Sequence, residues 1–247
     1  MGGLVRQLAG ACLTAGIMLG MSPAAQADEQ ELPTEQVEKI VREYLLREPE
    51  IIYQALQELQ RRETAAAAAR QREAVAANRS ELLDAPHTPL GGNPNGDVTL
   101  VEFFDYRCAY CRRVVPSMQA LLDEDPNLRV AFKDLPVLGP DSVRAAKAAL
   151  ASRNQDGYVP FHFALMAADD LSIEGIRAAA AAAGLDPDQL EADMASPEVM
   201  AAIEANYALA SELGIEGTPA FVIGDQVIPG AVDKVRLEQL IREARSG

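Results

Sequence analysis

The sequence predicts an α/β domain with a helical insertion, preceded by an N-terminal helical segment, and three features carry that prediction. Apolar runs at residues 98–104 and 128–133 have the length and the β-branched and aromatic content of buried strands. Between about residues 141 and 213 the chain is alanine-rich and shows helical periodicity. Residues 220–223 and 226–228 then form a hairpin pattern around Gly224-Asp225, followed by a last amphipathic stretch at 233–245. Strand, helix, strand, helices, hairpin, helix is an α/β order interrupted by an inserted helical block.

The first 27 residues read as an export signal. Arg6 gives the positive start, residues 8–21 the apolar middle, and Ala25-Gln-Ala27 a small-residue cleavage site, so cleavage is expected after Ala27 and the mature chain is expected in the periplasm. The apolar stretch falls short of the ~20 residues that a bilayer core requires. Cys12 lies within it, but Ala9-Gly10-Ala11 lacks the upstream leucine of a lipid-attachment site.

Residues 28–85 read as a helical segment. Val37, Ile40, Val41, Tyr44 and Leu45 recur at steps of three and four, with Thr34 as the expected N-cap. Pro49 should stop or bend that helix, and Ile51, Ile52, Leu56 and Leu59 start a second apolar face. Residues 64–77 are mostly alanine, which makes helix easily and buries little. Two such faces cannot hide on each other alone. They either meet copies of themselves or lie on their own domain, and self-association through residues 34–83 is favoured. A stretch dense in turn formers gives a linker at 86–96, and the catalytic domain is expected at 97–247, with its insertion at about 141–213.

With 22 basic against 37 acidic residues and a net charge of −15, the chain is a poor partner for nucleic acid. It holds three cysteines, and signal cleavage would leave only Cys108 and Cys111, spaced as Cys-Ala-Tyr-Cys. So small a loop gives a disulfide little to stabilise. A structural zinc site needs four ligands, and only His87 and His162 could join the pair, so no metal is expected. What remains is a redox pair at the start of a helix. The helix N-terminus offers unsatisfied N–H groups and a positive dipole end to the sulfur of Cys108, which makes it the attacking sulfur. Cys111, one turn inward, is placed to resolve the mixed disulfide. Pro116 falls inside the same helix and either bends it as in similar redox proteins or merely distorts it.

From about Gly92 onward the chain resembles the DsbA family, a thioredoxin fold with a helical insertion. The resemblance rests on Phe103-Phe-Asp-Tyr-Arg-Cys-Ala-Tyr-Cys111, on Phe132-Lys-Asp-Leu-Pro-Val-Leu-Gly-Pro-Asp-Ser142 and on Gly214-Ile-Glu-Gly-Thr-Pro-Ala-Phe-Val222. Tyr44-Leu-Leu-Arg-Glu-Pro-Glu-Ile-Ile52 is similar to the N-terminal segment of ScsC-like and Com1-like members, some of which oligomerise through it. The resemblance implies a thiol:disulfide oxidoreductase with no cofactor. Its clients would be exported proteins bearing cysteines, and a membrane redox partner would reset the active site.

The resemblance also implies a cis Thr218–Pro219 bond opposite the cysteine pair, with the backbone at Thr218 taking up an extended client by strand addition beside Tyr110. It implies that Glu102 is a buried acid relaying protons for Cys111. From the residues alone, Glu102 could equally lie on the solvated face of an edge strand, and Lys133 is either its partner or a strand-end lysine. His162, between two phenylalanines, reads as a packed histidine with no chemistry. Ala109-Tyr110 between the cysteines lacks the histidine of strongly oxidising members, which favours an isomerase or reductase over a net oxidase. The other readings are a chaperone indifferent to redox state and a copper(I) carrier using the two thiolates.

Overall fold

A computed structural model of the protein describes residues 33–246, so the expected signal, its cleavage site and Cys12 lie outside the described residues. The chain divides into two compact units, one ending at Gln57 and one beginning at Glu58. In the first, helix α1 (Thr34–Arg47) ends just before Pro49, and α2 (Glu50–Ala77) begins just after it. Proline lacks the N–H that continuing α1 would need. Thr34 is already the first helical residue and Pro33 takes the cap position, with no side-chain cap bond.

The second unit starts within α2 and continues through α3 (Arg79–Asp84) into a five-stranded sheet. The strands are β1 (Leu90–Gly92), β2 (Val98–Phe104), β3 (Leu128–Asp134), β4 (Ala220–Ile223) and β5 (Gln226–Pro229), in spatial order β1-β3-β2-β4-β5. Pairing is parallel between β2 and β3 and antiparallel elsewhere. Strand β1 lies in the stretch read as a linker. Its glycines explain the misreading: Gly92 has φ +71°, and a Cβ there would meet the Leu128 carbonyl oxygen at 2.4 Å. The residues that look like turn formers are those that let the chain run close against β3.

Alternation along the strands sorts the core into two layers. Leu100, Phe104, Val130, Phe132, Phe221 and Ile223 point into the larger one, shared with α4 (Ala109–Glu124), the inserted helices and α10 (Lys234–Ser246). Val101, Phe103, Ala131, Ala220 and Val222 point to the other, closed by Val75, Leu82, Leu209, Ala210 and Leu213. Completely burying one such phenylalanine contributes about 1.5–3 kcal/mol.

The insertion comprises α5 (Pro140–Ala151), a 3-10 turn, α6 (Tyr158–Ala167), α7 (Ile173–Ala182), α8 (Pro187–Asp193) and α9 (Pro197–Glu212). Helices α5, α7 and α9 carry the alanine-rich helical periodicity read between about residues 141 and 213. Helix α6 is apolar nearly all round, so it carries no amphipathic signature. Helix α8 is one short piece, capped by Asp186 through the N–H groups of Asp188 and Gln189. Alanines 145, 146, 148 and 149 of α5 are all buried, which lets neighbouring helices approach closely. Among the described residues no helix is long and apolar enough to cross a membrane.

Candidate active site

Strand β2 leaves the sheet at Phe104 and turns through Asp105 to Cys108, which is the N-cap of α4. The buried Asp105 side chain organises that turn. Its Oδ1 accepts from the Arg107 N–H at 2.7 Å and from the Ser142 hydroxyl at 2.7 Å, and its Oδ2 accepts from the Leu138 N–H at 2.9 Å. Its carbonyl accepts from the Cys108 N–H at 3.0 Å. One carboxylate thus joins the turn before Cys108 to the loop entering the helical insertion. Sequence reasoning passed over Asp105, although a carboxylate closing a buried strand just before the cysteine motif is a readable signal.

The two thiols are unequal. Cys108 keeps a small exposure of 6%, and its Sγ–H donates to the Thr218 carbonyl at 3.3 Å. Cys111 is fully buried, and burial pushes its thiol well above the ordinary range. Both are free thiols. The Thr218–Pro219 bond is cis, as the resemblance implied. Tyr110, Arg113, Thr218, Pro219 and Val232 line an open groove of about 580 Å³ beside the cysteines, so the fold brings Tyr110 to the proline loop across 108 residues of sequence. Tyr110 is 58% exposed, and the Arg113 guanidinium lies 4.4 Å from its ring centre.

Glu102 lies in the central strand, register-paired with Phe132 on one side and Phe221 on the other. It is 3% exposed, its Oε2 has no hydrogen-bond partner, and burial raises its carboxyl to about 8. The solvated-edge reading of Glu102 is therefore excluded. Alternation puts it between Leu100 and Phe104, on the face that packs Cys108 and Cys111. Lys133 pairs in register with Phe103 and faces the other layer, so it is not the partner of Glu102. It is completely buried there, donating from Nζ to the Glu81 carbonyl at 2.7 Å and to the Thr88 hydroxyl at 2.6 Å. Burial lowers it to about 8.

His162 sits among Phe104, Phe132 and Tyr158, and its Nδ1 shares a 3.0 Å hydrogen bond with the Tyr106 hydroxyl. Burial lowers it to about 3, so it is neutral, which fits a packing role. Next to it the Tyr158 hydroxyl donates to Asp134 Oδ2 at 2.9 Å, and burial raises Asp134 to about 7. The signal that could have found this cluster is the run of aromatic residues around two polar ones in β3 and α6.

Compared with known proteins, residues 99–242 match the model of the DSBA-like thioredoxin domain, and residues 34–66 match that of the copper resistance protein ScsC N-terminal domain. Among solved structures, a thioredoxin-like oxidoreductase from Silicibacter pomeroyi DSS-3 is 46% identical, with a TM-score of 0.67, covering 69% of this chain and 99% of that one. A periplasmic thioredoxin-like protein from Salmonella enterica serovar Typhimurium is 32% identical, with a TM-score of 0.63, covering 68% of this chain and 96% of that one. Curated relatives include a Na(+)/H(+) antiporter NhaA of Herminiimonas arsenicoxydans, 30% identical over 174 residues; the match takes in 67% of this chain and 28% of the antiporter. The chain thus spans only about a quarter of the length of the NhaA relatives it matches.

Proposed function

Because the chain belongs to the family of DSBA-like thioredoxin domains, we propose that it is a thiol:disulfide oxidoreductase that acts on cysteine-bearing exported proteins through Cys108 and Cys111. The observation that carries this reading is the pair's asymmetry: one sulfur at a helix start beside the Thr218 carbonyl, the other sealed one turn below. In the reductive direction the Cys108 thiolate attacks a client disulfide, forming a Cys108–client bond and releasing the client's other sulfur as thiolate. Cys111 then gives up its proton and attacks Cys108. That breaks the mixed disulfide, releases the second client thiol and leaves the Cys108–Cys111 disulfide, oxidised by two electrons. Burial makes deprotonation of Cys111 the harder step, and we assign Glu102, on the same face of the sheet, as the group that takes and returns that proton.

The client is held by strand addition at Thr218, with Tyr110 and Pro219 lining its groove. Isomerase or reductase activity is favoured over net oxidation by the Ala109-Tyr110 dipeptide and by the exposed apolar face of α1, where Val37, Ile40, Val41 and Tyr44 would join copies of the chain into an oligomer. Export after Ala27, a periplasmic site of action and a membrane partner that resets the pair complete the reading. A Cu(I)-carrying role is the second reading, supported by the match of residues 34–66 to the copper-resistance model.

The test is reactivation of scrambled ribonuclease by the reduced chain starting at Asp28, beside a version starting at Glu58. Strong reactivation by the longer chain and a loss of several-fold in the shorter one would support an oligomeric isomerase. Rapid oxidation of reduced ribonuclease by both disulfide forms, with no reactivation, would make the protein an oxidase. Tight Cu(I) binding abolished by Cys108→Ala, without exchange activity, would favour the carrier.

A further inference from the structure

We propose that Arg107, Arg112 and Arg113 form a cationic collar around Cys108 that selects disulfides and thiols flanked by carboxylates. This names a substrate class for the thiol-exchange reading above and rests on it. Three of the chain's 22 basic residues fall within the seven positions from Arg107 to Arg113, in a protein whose net charge is −15.

Arg107 donates from Nη1 to the Leu138 carbonyl at 2.7 Å, Arg112 from Nε to the Tyr106 carbonyl at 2.9 Å, and Arg113 stacks on Tyr110. Each guanidinium is held by a neutral partner, and among the described residues none of the three makes an ion pair. Several other arginines of this domain are matched to carboxylates, Arg144 to Asp141, Arg177 to Asp188 and Glu191, Arg245 to Asp97 and Asp125, whereas Arg153 is held by the Pro86 carbonyl. An oriented guanidinium with donors to spare is the group that best matches a carboxylate.

The collar reaches both flanks of the redox pair. Arg113 lines the groove with Tyr110, Thr218 and Pro219, while Arg107 and Arg112 line a second cavity of about 410 Å³ together with Ala109. An extended client advances ~3.3 Å per residue, so side chains next to its cysteine come within reach of both flanks. Acidic groups share these cavities. Asp141 is paired with Arg144, while Asp169 and Asp170 in the second cavity and Asp233 in the groove are opposing carboxylates that the collar must outweigh, Asp170 accepting from the Ser172 N–H and hydroxyl and Asp233 from the Arg236 N–H.

The test compares three disulfides of similar size: 3,3′-dithiodipropionate, bis(2-hydroxyethyl) disulfide and cystamine, with charges of −2, 0 and +2. Each is reduced by the dithiol chain starting at Asp28, and each rate is divided by that with 2-mercaptoethanol. In every case the probe gains two electrons and leaves as two thiols while Cys108–Cys111 becomes the disulfide. Net charge alone predicts that cystamine reacts fastest. The collar predicts the reverse order, with dithiodipropionate at least about tenfold ahead of cystamine at low salt. That ratio should collapse toward one in 1 M KCl, where the screening length is ~3 Å. It should collapse equally in the Arg107→Gln, Arg112→Gln, Arg113→Gln triple variant and return with lysine at the three positions.

Equal rates in the unaltered protein, a preference for cystamine, or a ratio that survives the triple glutamine change would each overturn the collar while leaving thiol exchange intact. Reaction with none of the three probes would overturn the exchange reading as well.

Discussion

Glu102 Oε2 has no hydrogen-bond partner in the interior, and that isolation makes it a pH-sensitive element of stability. Burial raises its carboxyl from near 4.5 to about 8, so the folded state prefers the protonated form. The stability this gives is complete below about pH 4.5 and is lost as pH rises through 8. Glu102→Gln is uncharged throughout. Its stability should match the parent near pH 4, exceed it increasingly between about pH 5 and 8 and level off above that, by at most ~1.4 kcal/mol for each pH unit crossed in that window. Thermal unfolding across that range checks the sign. The same change should slow release of the mixed disulfide from Cys108 without slowing its formation, which rapid-quench trapping would separate. Lys133 has the opposite slope: a lysine lowered to about 8 is favoured neutral in the fold, and its contribution declines as pH falls through 8.

At the scale of elements, the loop between β3 and α5 is tied to the redox turn through Asp105. Asp105→Ala removes acceptors from three donors, two of them backbone N–H groups, so a loss of about 2–4 kcal/mol is expected. Ser142→Ala, which removes one donor, should lose about 1 kcal/mol. Urea denaturation would measure both, and Asp105→Ala should also slow attack by Cys108, because its turn is no longer anchored to the insertion. In α1, Val37, Ile40, Val41 and Tyr44 are 41–52% exposed along one face. If this face joins copies of the chain, Val41→Glu with Tyr44→Glu should reduce the sedimentation mass to that of one chain while helix content stays constant.

For the whole molecule, the unit beginning at Glu58 closes its second core layer with Val75 and Leu82, which precede the first strand. The Glu81 carbonyl and Thr88 hydroxyl that receive Lys133 also precede Gly91. A chain starting at Glu58 should therefore keep one cooperative thermal transition. A chain starting at Gly91 should unfold at much lower temperature or not fold, since losing one large buried side chain alone costs about 2–5 kcal/mol. Calorimetry of the two versions decides this. The turn-rich stretch before β2 belongs structurally to the domain that the sequence places after it.

Local patterns determined a good deal by themselves. Apolar runs of strand length set β2 and β3, Pro49 separated α1 from α2, and Cys108-Ala-Tyr-Cys111 at the end of β2 marked the start of α4 and its chemistry. These are features of chain direction and neighbouring side chains, which fix local conformation. Three outcomes waited for tertiary structure. Glu102 became a buried acid only because β2 is the central strand; alternation says which residues share a face, never which face is covered. Lys133 turned from Glu102 to Glu81 and Thr88 because it sits one position out of step with Glu102 in the β2–β3 register. The Thr218 carbonyl came to stand 3.3 Å from Cys108 Sγ through a contact between segments far apart in the chain, and no local pattern specifies such a distance.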